Sequence, residues 1–174
     1  MAEVAPVVGI VMGSDSDLPV MAEVARVLET YAIPYEMRVL SAHRSPEEAG
    51  RFAREAEGRG LKIIVAGAGG AAHLAGAMAA HSTLPVIGVP LEGSPLGGFD
   101  SLLSTVQMPP GIPVATVGVG SMGAKNAGHL AAAILALGDQ QLRDTLRTRR
   151  AQMAKDVLER SSTIADRLRK ILNG

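Results

Sequence analysis

Five apolar runs of strand length recur along 174 residues: VVGIVM (7–12), YEMRVL (35–40), LKIIVA (61–66), PVIGVP (85–90) and PVATVGV (113–119). A segment of helical period follows each one. In 17–31 the apolar positions Val20, Met21, Val24, Val27, Leu28 and Tyr31 form one stripe. In 46–58 the stripe is Ala49, Phe52, Ala53 and Ala56, with Gly58 and Gly60 placed to end the helix. Segments 71–80 and 123–137 are Ala-rich and helical, and 99–106 predicts a shorter helix. Strands that are apolar on both faces, alternating with helices, require a parallel sheet covered on both sides. The predicted fold is a three-layer, doubly wound, flavodoxin-like α/β sheet. Its ligands would bind outside the carboxyl ends of the strands, near the point where strand order switches.

Residues 139–172 break the alternation. Leu142/Leu146, Met153/Val157 and Ile164/Leu168 are pairs spaced eleven apart, close to three helical turns. They predict one long helix, capped by Asp139 after Gly138, that would extend roughly 50 Å at ~1.5 Å per residue. The expectation is a single α/β domain over 1–174, with this helix docking on a neighbouring subunit.

Composition narrows the function. Hydrophobic residues are 47% of the chain but aromatics only 2%, so small aliphatic side chains must fill the core. Two Phe, two Tyr and no Trp leave no base-stacking platform for nucleic acid. Formal charge is zero; residues 139–174 hold nine basic against five acidic side chains, interleaved as on a solvated helix face. The absence of cysteine excludes disulfides, thiol catalysis and zinc–thiolate sites. The opening MAEVAPVVGIVMG has no basic n-region, and its apolar run is too short for a signal or a membrane span. The expected protein is cytoplasmic, with neither nucleic acid nor membrane as partner.

Three strand-to-helix turns carry chemistry. GSDSD (13–17) offers Gly13 for a tight turn, the Ser14 and Ser16 hydroxyls, and helix-start N–H groups that favour an anion. Asp17 is placed as N-cap, and a capped turn with spare serines also accounts for the motif. No P-loop pattern is present. In SAHRSP (41–46), Ser45, Pro46 and Glu48 predict a capping box with Pro at the first helical position. That leaves Ser41, His43 and Arg44 unexplained by helix initiation. Arg44 suits a phosphate, and an imidazole such as His43 gives and takes a proton near neutrality.

The third turn, AGAGGAAHLAG (66–76), has Gly67, Gly69 and Gly70, which let backbone approach a ligand. It fits a loose G-x-G-x-x-A, but outside the first βα unit and with Ile87 where a ribose-binding acid would stand. His73 either faces the site or caps its own helix. His81 and His129 have no polar company in sequence. No metal-ligand spacing is present. The residues imply a phosphate-bearing small molecule held by Ser14, Ser16 and Arg44, with His43 as proton donor or acceptor.

Read together, GSDSD, SAHRSP, AGAGGAAHLAG, LPVIGVP (84–90), DSLLSTVQMPPGIPVATV (100–117) and KNAGHLAAAIL (125–135) resemble the class I 5-(carboxyamino)imidazole ribonucleotide mutases of purine biosynthesis. The resemblance covers nearly the whole chain. It implies that a carbamate carboxylate moves from the exocyclic nitrogen to the ring carbon without metal, biotin, flavin or ATP, by loss and recapture of carbon dioxide. It implies His43 as general acid and then base. Ser14, Ser16, Ser41 and Arg44 would hold the phosphate and Asp17 the ribose. Gly67, Gly69, Gly70 and Ala71 would line the pocket, and His73 and Leu74 would border the base. Arg44 and the GGAAHL string (69–74) distinguish it from related carboxylases that use free carbon dioxide, which typically carry Lys in place of Arg44. Ala75, where the family usually has Pro, and Ser121–Met122 depart from the pattern. The resemblance further implies a homo-octamer. The competing readings are an aminoimidazole ribonucleotide carboxylase and a non-catalytic nucleotide-binding module.

Overall fold

The computed structural model describes residues 5–173. Contacts divide the chain into two compact units, meeting in sequence between Leu135 and Ala136.

The first unit holds the sheet. Its strands are β1 (Val8–Met12), β2 (Tyr35–Val39), β3 (Ile63–Gly69), β4 (Val86–Leu91) and β5 (Ala115–Thr116). Its helices are α1 (Leu18–Thr30), α2 (Pro46–Ala56), α3 (Leu74–His81), α4 (Phe99–Val106) and α5 (Gly120–Leu135). The strands pair in the order β2-β1-β3-β4-β5, all parallel. This is the flavodoxin-like, doubly wound order, and the switch lies between β1 and β3. Every predicted strand and helix of this unit is present.

The boundaries moved where pairing decided them. β3 starts two residues late and runs to Gly69, because Ala68 and Gly69 still pair with Pro90 and Leu91 of β4. β5 shrinks from the predicted 113–119 to two residues. Pro113 has no N–H for the ladder, and Gly120 turns the chain left-handed (φ +70°) into α5. β5 is an edge, so nothing on its outer side extends it.

The core is aliphatic. Ile10, Val11, Ile63, Ile64, Val65 and Ile87 are fully buried in the sheet, and Met21, Leu28 and Met78 cover it from the helices. Small residues set the helix distances. At Gly128 of α5 an added Cβ would lie 2.7 Å from Val27 Cβ and 3.1 Å from Val24 O of α1. The two helices therefore pack with backbone almost in contact.

In the second unit the predicted single helix is two: α6 (Gln140–Ser162) and α7 (Ile164–Leu172). The cause lies in the SST run at 161–163. The Ser162 hydroxyl donates to Glu159 O at 2.7 Å and the Thr163 hydroxyl to Arg160 O at 3.1 Å. These side chains compete for the last carbonyls of α6 and bend or end the helix there. α6 alone, at 23 residues, is about 34 Å long. Asp139 caps it as expected, accepting from Leu142 N–H at 3.0 Å. Leu142 is buried, but Met153, Val157, Ile164 and Leu168 are more than half exposed. Among the described residues no helix is long and apolar enough to cross a membrane.

A Gly128→Ala substitution should push α5 off α1. Overpacking of this kind costs typically about 1–3 kcal/mol, and chemical denaturation should show the lowered midpoint.

Candidate active site

Parallel register brings the strand exits to one level. Met12 pairs with Val39 on one side and Gly67 on the other. The turns that follow therefore leave the same sheet edge together, and a cavity of about 450 Å³ opens between them. Ser14, Ser16 and Asp17 line it from the first turn, Ser41, His43 and Arg44 from the second, and Gly69, Gly70, Ala71, His73 and Leu74 from the third.

The first turn is a 3-10 turn over Asp15–Asp17 rather than a direct helix start. Ser14 caps it, and a reciprocal capping box forms: Ser14 N–H donates to Asp17 Oδ2 at 3.0 Å. Asp17 stands before α1 but makes no side-chain cap there. Its carboxylate instead serves the turn and faces the cavity. The hydroxyls are satisfied locally. Ser16 Oγ donates to Ser14 Oγ at 2.9 Å, and Ser14 Oγ donates to Asp15 Oδ1 at 3.1 Å.

The second turn is closed by Ser41 and Ser45. Ser45 Oγ accepts from Ser41 N–H and donates to Ser41 O, both at 3.1 Å. The predicted capping box of Ser45 with Glu48 is therefore absent. The Ser45 hydroxyl reaches back across its own turn, and Glu48 pairs with Arg51 one helical turn on. Pro46 does open α2. Ser41 Oγ accepts from Arg44 N–H at 3.1 Å. The Arg44 guanidinium then crosses to the first turn, donating to Gly13 O at 2.9 Å.

The third turn holds Gly70 left-handed at φ +61°. His73 sits at the N-cap of α3 with no side-chain cap bond. Its ring faces the site instead: His43 Nε2 and His73 Nδ1 are 2.8 Å apart, with the rings edge-to-face. One nitrogen must carry the shared proton and the other must present a lone pair.

Gly67 lies outside the cavity. It is buried in β3, and a Cβ there would lie 2.3 Å from Met21 Sδ. It lets α1 close on the sheet rather than a ligand approach the backbone. His81 and His129 do have polar neighbours. His129 Nδ1 is 2.9 Å from the Tyr31 hydroxyl, and His81 Nδ1 is 3.5 Å from Arg54 Nη1. Sequence separation hid these pairs.

Sequence reasoning missed the fourth turn. Glu92 and Gly93, just past β4, also line the cavity. The strand-end rule that selected the other turns applies equally to this one. Among the described residues no group of three His, Cys, Asp or Glu could hold a metal.

Residues 7–156 match the family model described as AIR carboxylase. The chain belongs to that family. It is 57% identical over 150 residues to the N5-carboxyaminoimidazole ribonucleotide mutase of Pyrococcus abyssi, covering 86% of this chain and 85% of the relative. It is 52% identical over 159 residues to the mutase of the same name from Bacillus subtilis, covering 91% and 98%. The crystal structure of Treponema denticola PurE superposes with a TM-score of 0.82 at 30% identity, covering 91% of this chain and 98% of that one.

Burial raises the Asp17 carboxyl above the ordinary aspartate value. The Ser14 N–H bond and the Arg44 charge oppose the rise, and Asp15 adds to it. The folded state thus holds this proton more tightly than the unfolded chain. Stability tied to the group is full below the ordinary value and is lost as pH rises through the folded one. Asp17→Asn removes that loss. Its thermal midpoint should gain on the parent as pH moves from acid to neutrality, and paired melting curves across that range check this.

Proposed function

We propose that this chain is an isomerase of de novo purine biosynthesis. It converts 5-(carboxyamino)imidazole ribonucleotide to 5-amino-4-carboxyimidazole ribonucleotide, the activity for which its mutase relatives are named. The observation that carries the mechanism is the His43–His73 pair, held in one cavity with the Arg44 guanidinium.

The residues divide the work. Arg44 clamps the phosphate, aided by the Ser14 and Ser16 hydroxyls, which turn from their local bonds to phosphate oxygens, and by the Ser41 hydroxyl, which accepts from Arg44 N–H and donates to the phosphate. The Asp17 carboxylate accepts from the ribose hydroxyls. Its raised proton affinity is the cost of keeping an acid half-buried at a binding site. Gly69, Gly70 and Ala71 present backbone to the base, with His73 and Leu74 at its border.

The chemistry then needs one mobile proton. His43 delivers it to the exocyclic nitrogen as the N–CO₂⁻ bond breaks, leaving an amine and carbon dioxide. The ring carbon attacks the trapped carbon dioxide, and its proton returns to His43. Atoms and charge balance, and nothing is consumed. His73 receives or returns the hydrogen bond while His43 changes state. Confinement contributes by keeping carbon dioxide beside the carbon it must meet.

The reading extends to a cytoplasmic homo-octamer. Association between copies is supported by the exposed apolar side chains of α6 and α7, which a second copy would cover: Met153, Val157, Ile164 and Leu168 are 63%, 63%, 58% and 54% exposed.

Pure carbamate ribonucleotide, supplied without ATP or bicarbonate, should be converted. A strict need for added bicarbonate would mean a carboxylase instead. His43→Asn should retain ribonucleotide binding and lose turnover by roughly a hundred- to ten-thousand-fold; equal turnover would remove the imidazole from the mechanism. In analytical ultracentrifugation the parent should sediment as an octamer, and an Ile164→Glu/Leu168→Glu double variant as smaller species.

A further inference from the structure

We propose that Ser104 is a positioning residue for the His43–His73 pair. It lies on α4, outside the residues that line the cavity. Its hydroxyl nevertheless accepts from the Ala72 N–H at 3.0 Å, across 32 residues of sequence.

The bond matters because of what it holds. Ala72 is buried, and the residue after it is His73. A buried N–H without a partner is costly, so the backbone stays where Ser104 meets it. The turn is anchored at its ends, by the pairing of Gly69 with Leu91 and by Ala77 N–H donating to His73 O at 2.9 Å, and is less held between them. Gly70 is left-handed, and His73 N–H donates only two residues back, to Ala71 O at 2.8 Å. The Ser104 proton has acceptors on both elements: Asp100 O at 2.9 Å and Ser101 O at 3.2 Å in α4, and Gly70 O at 3.3 Å in the turn. The firm tie is the bond accepted from Ala72 N–H; the single proton goes to the nearer α4 carbonyl, with Gly70 O as its alternative acceptor. His73 follows Ala72 and meets His43, carried by a different turn, at 2.8 Å. The pair spans two loops, and Ser104 fixes one of them.

Ser101 provides an internal comparison. It is buried on the same helix, and its hydroxyl donates to Leu91 O and Gly98 O, both at 2.9 Å. It braces the β4–α4 turn and has no bond to the histidine turn. Loss of either hydroxyl softens α4; only loss of Ser104 releases the Ala72 N–H that precedes His73.

The inference rests on the proton role given above to His43, and the experiment separates the two. Steady-state kinetics over pH would be measured on Ser104→Ala, Ser104→Thr, Ser101→Ala and His43→Asn, with imidazole nitrogen NMR on the Ser104 and Ser101 variants. Ser104→Ala should lower kcat about tenfold to hundredfold, the scale of a misplaced reacting group, with KM changed far less. Its pH profile for kcat should shift, and the His43 and His73 nitrogen resonances should move. Ser104→Thr, which keeps the hydroxyl, should recover most of kcat and the parental profile. If Ser104→Ala does not fold, Ser104→Cys, with a weaker acceptor, should give an intermediate shift. An unchanged kcat, profile and ring spectrum in Ser104→Ala beside an inactive His43→Asn overturns this inference alone. An equal shift in Ser101→Ala overturns it too. Full turnover by His43→Asn overturns the proton role instead, and the ring resonances still report whether Ser104 sets the pair.

Discussion

The parallel pairing of β1 with both β2 and β3 is the constraint on which the site depends. It puts Val39, Met12 and Gly67 side by side, so three turns leave the sheet at one height. A one-residue slip in either ladder would move a turn by about 3.3 Å and reverse the faces of its strand. His43 and His73, thirty residues apart, share a hydrogen bond only because these ladders hold. The buried Ile and Val side chains on both faces of the sheet fix the register.

Small residues set the second level of order. With almost no aromatic side chains, the core closes by letting backbones approach. Gly67 admits Met21 of α1, and Gly88 of β4 admits Thr105 of α4, whose Cγ2 would lie 2.5 Å from an added Cβ. The second approach has a consequence at the sheet edge. It brings α4 near enough for Ser101 and Ser104 to reach the turns on either side. A bulkier core would hold the helix out of hydroxyl range.

The polar groups show the same economy. Most hydroxyls of the first two turns bond within their own turn, while Arg44 and His43 reach across to neighbouring turns. The site is thus built from locally stable loops joined by a few long-range bonds. Asp17 also bonds within its turn, accepting from Ser14 N–H, while burial raises the proton affinity of its carboxylate.

The five apolar runs and the helical stripes between them are local patterns, so the sequence determined the α/β alternation, the parallel sheet and the chemical character of its turns. It did not determine where hydroxyls would bond, because Ser45 could cap α2 or close its own turn and only the fold chose the latter. The SST run that splits the C-terminal helix at Thr163 was visible as residues, but its effect depends on which carbonyls those hydroxyls take. Gly67 and Gly69 look alike in sequence. Tertiary packing put Met21 against one and left the other facing the cavity. The pairing of His43 with His73, the entry of Glu92 and the reach of Ser104 to Ala72 were decided by tertiary structure alone, since each joins residues whose separation in the chain carries no information about their distance in space.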